Sequence, residues 1–147
     1  MHIYEITGDK KQYLDLLLLA DEQEDMVDKY LDRGIMFVLD DEGIKGECVV
    51  TDEGNGVIEI KNLAVHKDYH GRGYGKALIR FIADRFHDQY STLQVGTGDS
   101  PITIPFYEHC GFKQHHRIKN FILDNYDRPI YEGGVQLRDM VFLRMKI

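Results

Sequence analysis

Apolar and polar positions along this chain follow two periods, and the switches between them lay out the elements. His2 to Ile6 reads as a short strand. From Asp9 to Ala20 the apolar positions (Tyr13, Leu14, Leu17, Leu18) fall at helical spacing, with Asp9 placed to cap. A second helix is predicted from Asp21 to Arg33, stopped by Gly34. Ile35 to Leu39 and Ile44 to Thr51 read as strands around an Asp40–Gly43 turn, and the turn formers of 52–56 make a hairpin to the next strand. That strand, Val57 to Val65, alternates strictly, with Val57, Glu59, Lys61 and Leu63 opposite Ile58, Ile60, Asn62 and Ala64. A glycine-rich turn follows, then a helix to about Phe86 with Leu78, Ile79, Ile82, Ala83 and Phe86 in one stripe. Ser91 to Val95 is a strand. Ser100 to Pro105 leads into a short helix ending at Cys110 and closed by Gly111. Two long strands, Phe112 to Leu123 and Val135 to Ile147, are joined by 125–134.

This order predicts a single α/β domain over residues 1–147, with one mixed, mostly antiparallel sheet. A chain of 147 residues is long enough to bury a core, and its 43% hydrophobic content suits a soluble globular domain. No apolar run approaches the roughly 20 residues of a membrane span, and no basic-then-apolar leader is visible at the start. Two cysteines, Cys48 and Cys110, make no disulfide framework, so a reducing cytoplasm is the expected location. A net charge of −7 argues against a nucleic-acid partner, which requires a basic footprint. Asp21, Glu22, Glu24, Asp25 and Asp28 crowd one segment, as a solvated face or as a field drawing a cationic amine to a cleft.

The chemistry concentrates between Asn62 and Ile79. A strand ends, Gly71, Gly73 and Gly75 alternate, and a helix begins. Free amides and the helix dipole at that start form an anion site suited to phosphate, which a side chain would hold away. Arg72 and Lys76 add direct charge. A nucleotide-hydrolase loop is excluded because His70 stands at its first glycine and Ala77 follows Gly75-Lys76. A dinucleotide fingerprint is excluded because Lys76 takes the third glycine position, in mid-chain after a hairpin.

The stretch Leu63 to Ile79 instead resembles the GNAT superfamily of acyl-CoA-dependent N-acyltransferases, whose signature is Arg/Gln-x-x-Gly-x-Gly/Ala after a Leu-Ala-Val-type strand end. Phe106-Tyr107-Glu108-His109-Cys110-Gly111-Phe112 resembles the family's Leu/Phe-Tyr-Glu-Lys-x-Gly-Phe. The element order agrees across nearly the whole chain, and the tail resembles a bacterial subgroup acting on small molecules. The resemblance implies a mostly antiparallel central sheet flanked by helices on both faces. It also implies acetyl-CoA as co-substrate and direct acetyl transfer to a primary amine. Two other readings stand beside it: a protein N-terminal or lysine acetyltransferase, and a non-catalytic acyl-CoA-binding module. Relatives often dimerise, so a homodimer is an option, though nothing in the sequence reads as a pairing motif.

By the same resemblance, a bulge near the end of the Val57–Val65 strand lets the backbone of Leu63, Ala64 and Val65 bind the pantetheine arm and polarise the thioester carbonyl. His70, Gly71, Arg72, Gly73, Tyr74, Gly75 and Lys76 form the phosphate loop, with His70 departing from the usual Arg or Gln. Ser100 stands where many members have a cofactor-binding asparagine. Tyr107 matches the tyrosine that protonates the leaving thiolate. Glu59, four residues before Leu63, matches the catalytic glutamate of histone-acetylating relatives. Its plain reading is a strand carboxylate or a partner for Lys61. Neither cysteine has a neighbouring base that would make it a nucleophile, and His109, Cys110, His115 and His116 match no zinc spacing, so no metal is expected. In the family the acceptor cleft lies between the first helices and the last hairpin, here Asp21–Leu31 and Phe121–Gly134. Asp124, Asp127 and Glu132 favour a cationic acceptor, whereas Arg128 suits a carboxylate.

Overall fold

The computed structural model describes all 147 residues. Seven strands form one sheet: β1 (His2–Ile6), β2 (Ile35–Asp40), β3 (Ile44–Gly54), β4 (Val57–Val65), β5 (Thr92–Gly98), β6 (Lys113–Ile118) and β9 (Met140–Lys146). Their spatial order is β1-β2-β3-β4-β5-β9-β6, and every pairing is antiparallel except β4 with β5. The two-residue strands β7 (Tyr131–Glu132) and β8 (Val135–Gln136) pair with each other as a separate hairpin.

Strand alternation gives the sheet two apolar faces, and helices cover both. On one face Met36, Val38 and Val49 pack against Leu17 of α1 (Leu14–Ala20) and Val27 of α2 (Glu24–Asp28). The other face is larger. There Phe37, Leu39, Val50, Ile58 and Ile60 meet Leu78, Ile79 and Ile82 of α3 (Tyr74–Phe86) and Tyr107 of α4 (Thr103–His109). Leu17, Leu78 and Ile82 are wholly buried. Each such aliphatic side chain contributes about 1.5–3 kcal/mol. Asp9 caps the first helical segment as expected, its carboxylate accepting from Lys11 N at 3.1 Å.

The first helices differ from the expected boundaries. A 3-10 turn (Lys10–Tyr13) precedes α1, and α2 covers only Glu24–Asp28. Asp21 leaves α1 in an extended conformation (φ −140°), because its carboxylate is drawn away to two tyrosine hydroxyls. Neither long C-terminal strand is continuous. Asn120 adopts φ +62° and ends β6, after which α5 (Phe121–Asn125) begins. Before β9, the Asp99 carboxylate accepts from Arg138 N (2.7 Å) and Asp139 N (3.2 Å), holding 137–139 out of the ladder. No helix is long and apolar enough to cross a membrane.

Candidate functional site

The sheet opens where β4 and β5 part. They pair only from Val57 with Thr92 to Ile60 with Val95. At that point the β3–β4 register shifts, with Val50 opposite Ile60 but Val49 opposite Asn62, which makes Lys61 the extra residue of a bulge. The bulge turns β4 away, so residues 61–65 keep no ladder partner on that edge. Their backbone faces a cavity of about 430 Å³, walled by Leu63, Ala64 and Val65 on one side and Gly96, Thr97 and Gly98 on the other. That volume suits a small-molecule site.

At one end lies the turn into α3. Gly71 (φ +79°) and Gly73 (φ +83°) take left-handed conformations, and a Cβ on either would meet nothing within 4 Å. The protein therefore leaves space in front of the first amides of α3, which fits a phosphate cradle. Gly75 has a different reason to be glycine: its Cβ would lie 3.1 Å from the Phe106 ring, so it lets α4 approach α3. His70 lines the cavity, and its Nε2–H donates to the Val65 carbonyl at 2.9 Å, tying the loop to the strand end. The guanidinium of Arg72 sits 5.2 Å from the centre of the Tyr69 ring, and Lys76 is exposed beside the loop. The Tyr74 hydroxyl turns away and donates to Asp41 at 2.6 Å, so only its amide is offered to the loop. That bond holds the Asp41 carboxyl below its usual range.

Tyr107 lines the cavity, and burial pushes its phenol well above its usual range, so the hydroxyl keeps its proton at neutral pH. Ser100 is buried, and its hydroxyl oxygen accepts from Ile102 N (3.0 Å) and Thr103 N (3.2 Å) at the start of α4. The structure does not bring Glu59 to the cavity. It is 3% exposed, ion-paired to Lys61 at 2.8 Å, and accepts from Gln94, whose oxygen accepts from Arg144 Nε at 2.6 Å. The bulge explains the separation, because Glu59 still belongs to the paired part of β4, opposite Thr51 and Gln94.

The other end of the cavity is built by Leu19 in the last turn of α1, by Asp21 and Glu22 after it, and by Ile122, Tyr126, Ile130, Glu132 and Leu137 of the C-terminal segment. Tyr126 donates to Asp21, and Asp127 N donates to the Gln23 side chain at 2.9 Å. Of the acids expected here, Glu132 lines the cavity and has one buried oxygen without a partner. Asp124, Asp127 and Arg128 are exposed and off its wall.

Three polar groups at or beneath this wall were not singled out from the sequence. Asp21 appeared only as one acid among five. Asn62, buried in β4, donates to Leu17 O and to Tyr30 Oη, both at 3.0 Å. Glu47 is wholly buried opposite Ala64, has no partner on either carboxyl oxygen, and is pushed by burial well above its usual range. A polar residue at an inward position of an alternating strand was the available signal for both Asn62 and Glu47.

The family model of the GNAT acetyltransferase domain matches residues 32–114. The uncharacterized N-acetyltransferase YvbK of Bacillus subtilis (strain 168) is 36% identical over 137 residues, covering 90% of this chain and 88% of its own. A GNAT family acetyltransferase from Elizabethkingia anophelis, solved with acetyl-CoA bound, is 32% identical with a TM-score of 0.93, over 99% of this chain and 97% of that one. A Bacillus subtilis acetyltransferase in complex with CoA is 33% identical with a TM-score of 0.90, over 99% and 98%. A splayed β4–β5 pair, a glycine cradle at the start of α3 and these matches along nearly the full length lead to one conclusion: this chain belongs to the GNAT acetyltransferase family and uses acetyl-CoA as its co-substrate.

Proposed function

We propose that this acetyltransferase acts on a primary amine of a small, cationic molecule, and that Leu63, Ala64, Val65 and the 70–76 loop hold the co-substrate. The cavity's covered acceptor end carries this reading. Tyr126, Ile130 and Glu132 close over it, and the Tyr126–Asp21 bond fastens them to the segment after α1. A protein substrate needs an open groove along β4 instead. Charge adds support, because the acceptor end presents Asp21, Glu22 and Glu132, while Lys67, the lining's cation without an acidic partner in the cavity, belongs to the loop end. Lys61, the remaining cation, is held by Glu59. When bound, acetyl-CoA supplies a thioester activated toward amines. The chain's part is to position it and to manage protons, with Tyr107 as the acid that protonates the leaving sulfur.

The test has two stages. Calorimetry with acetyl-CoA should detect binding that Gly73→Glu abolishes, since the new carboxylate would occupy the cradle. Free-thiol release is then followed with small amines and with peptides bearing free N-termini or lysines. Release with small amines supports the reading. Release with peptides alone would replace it with the protein-substrate reading, and binding without release from any acceptor would leave a co-substrate-binding module.

A further inference from the structure

The amine reading leaves the proton acceptor unassigned, because Glu59 is held off the cavity. Asp21 stands on the cavity wall, half-buried, just past α1. Its Oδ1 accepts from Tyr126 Oη at 2.7 Å and its Oδ2 from Tyr30 Oη at 2.9 Å. The direction of the second bond is fixed from below: Asn62 Nδ2 donates to the Tyr30 oxygen, so the Tyr30 proton is free for Asp21. Both oxygens thus accept, as an ionised carboxylate does, and each keeps a lone pair. Asn62 immediately precedes Leu63, so two hydrogen bonds link Asp21 to the unpaired edge of β4.

The surroundings are those of a cation site. Glu22 and Asp25 lie on the same segment, and Glu132 faces the cavity from the β7–β8 hairpin. Tyr30 and Tyr126 are neutral, burial holding both phenols well above their usual range. Lys61, the cation of β4 on this wall, is paired with Glu59. Glu47 lies beneath, on the same sheet face as Asn62. Burial raises the Asp21 carboxyl above its usual range against the two tyrosine bonds. A carboxylate raised in this way is better matched to taking a proton near neutral pH.

We propose that Asp21 receives the ammonium group of the acceptor and removes its proton. This assignment rests on the amine reading above. Asp21 takes one proton from the ammonium, and the freed lone pair attacks the thioester carbon. The C–N bond forms and the C–S bond breaks. Sulfur leaves as thiolate and takes the Tyr107 proton. The second proton of the nitrogen refills the phenolate, and Asp21 returns the first to solvent. The sum is an amide, a thiol and one proton.

The experiment measures CoA release with putrescine and benzylamine across pH for the wild type, Asp21→Asn, Glu59→Gln and Tyr126→Phe, with acetyl-CoA affinity measured alongside. Asp21→Asn is expected to lose about 100-fold in kcat/KM for the amine and the acidic limb of its profile, with acetyl-CoA affinity unchanged. Tyr126→Phe removes a bond to the charged form, so the acidic limb should move to higher pH. An Asp21→Asn variant that keeps its rate and limb overturns the assignment, as does a larger loss in Glu59→Gln. If Asp21→Asn does not fold, an unmoved limb in Tyr126→Phe overturns it. A wild type that binds acetyl-CoA but acetylates neither amine overturns the amine reading, and this assignment with it.

Discussion

The Tyr126 hydroxyl donates to Asp21 Oδ1 at 2.7 Å, joining residues 105 positions apart in the chain. It fastens the C-terminal segment across the acceptor end of the cavity. The two ends of that segment are anchored separately, by Asn120 N to Asp139 Oδ1 at 2.8 Å and by Asp99 to Arg138 N.

Because those anchors remain, Tyr126→Phe should loosen the cover without unfolding the domain. A hydrogen bond to a charged acceptor is worth about 1.5–3 kcal/mol, so amides of α5 and the β7–β8 hairpin should exchange roughly tenfold faster or more. KM for the amine should rise while acetyl-CoA affinity stays constant. Hydrogen exchange and steady-state kinetics check the two halves, and unchanged exchange would mean that the cover is held elsewhere.

Tyr107→Phe removes a hydroxyl and almost no volume. Turnover should fall about 100-fold, with KM for acetyl-CoA little changed and the thermal midpoint within a few degrees. Since burial holds the phenol above its usual range, the wild-type rate should show no alkaline limb from Tyr107 near neutral pH.

Ser100→Ala separates a capping role from a co-substrate contact. Loss of the bonds to Ile102 N and Thr103 N should cost about 1 kcal/mol, or about 3 °C in melting temperature for a chain of this size. Acetyl-CoA affinity should not change. An affinity loss without a melting shift would mean that Ser100 contacts the co-substrate instead.

Glu47→Gln should stabilise the protein, increasingly so toward alkaline pH. The folded-state pKa of Glu47 is raised, so both states hold the proton below the ordinary glutamate value of about 4.3. Above it the unfolded chain releases a proton that the folded chain keeps. Stability therefore falls as pH rises toward the folded pKa, by up to about 1.4 kcal/mol per pH unit for one such group. Glutamine carries no such proton and removes this slope. Melting temperatures of both proteins at mildly acidic and mildly alkaline pH check it, and parallel curves would mean that Glu47 is ionised in the fold.

Much of the fold was legible in the sequence because it rests on local periodicity. The alternation of Val57–Val65, the stripe from Leu78 to Phe86 and the turn at 52–56 identified their elements. The glycine-rich turn was legible for the same reason, as three glycines between a strand end and a helix start form a contiguous pattern, although Gly75 proved to be glycine for the approach of Phe106. Boundaries were less legible wherever a distant side chain set them. Asp99 interrupts the last strand from 39 residues away, and Asp139 accepts from the backbone of Asn120 where β6 gives way to α5.

By itself, then, the sequence determined the α/β class, the mostly antiparallel sheet and the place of the glycine turn before α3, because neighbouring residues carry each of these. Tertiary structure alone decided which polar groups meet. It tied Glu59 to the Gln94 amide and assembled Asn62, Tyr30, Asp21 and Tyr126 into one hydrogen-bonded chain along the cavity. The physical reason is register. A one-residue bulge at Lys61 determines which side chains of β4 reach the cavity, and the partners that hold Asp21 come from segments whose proximity exists only after the chain has folded.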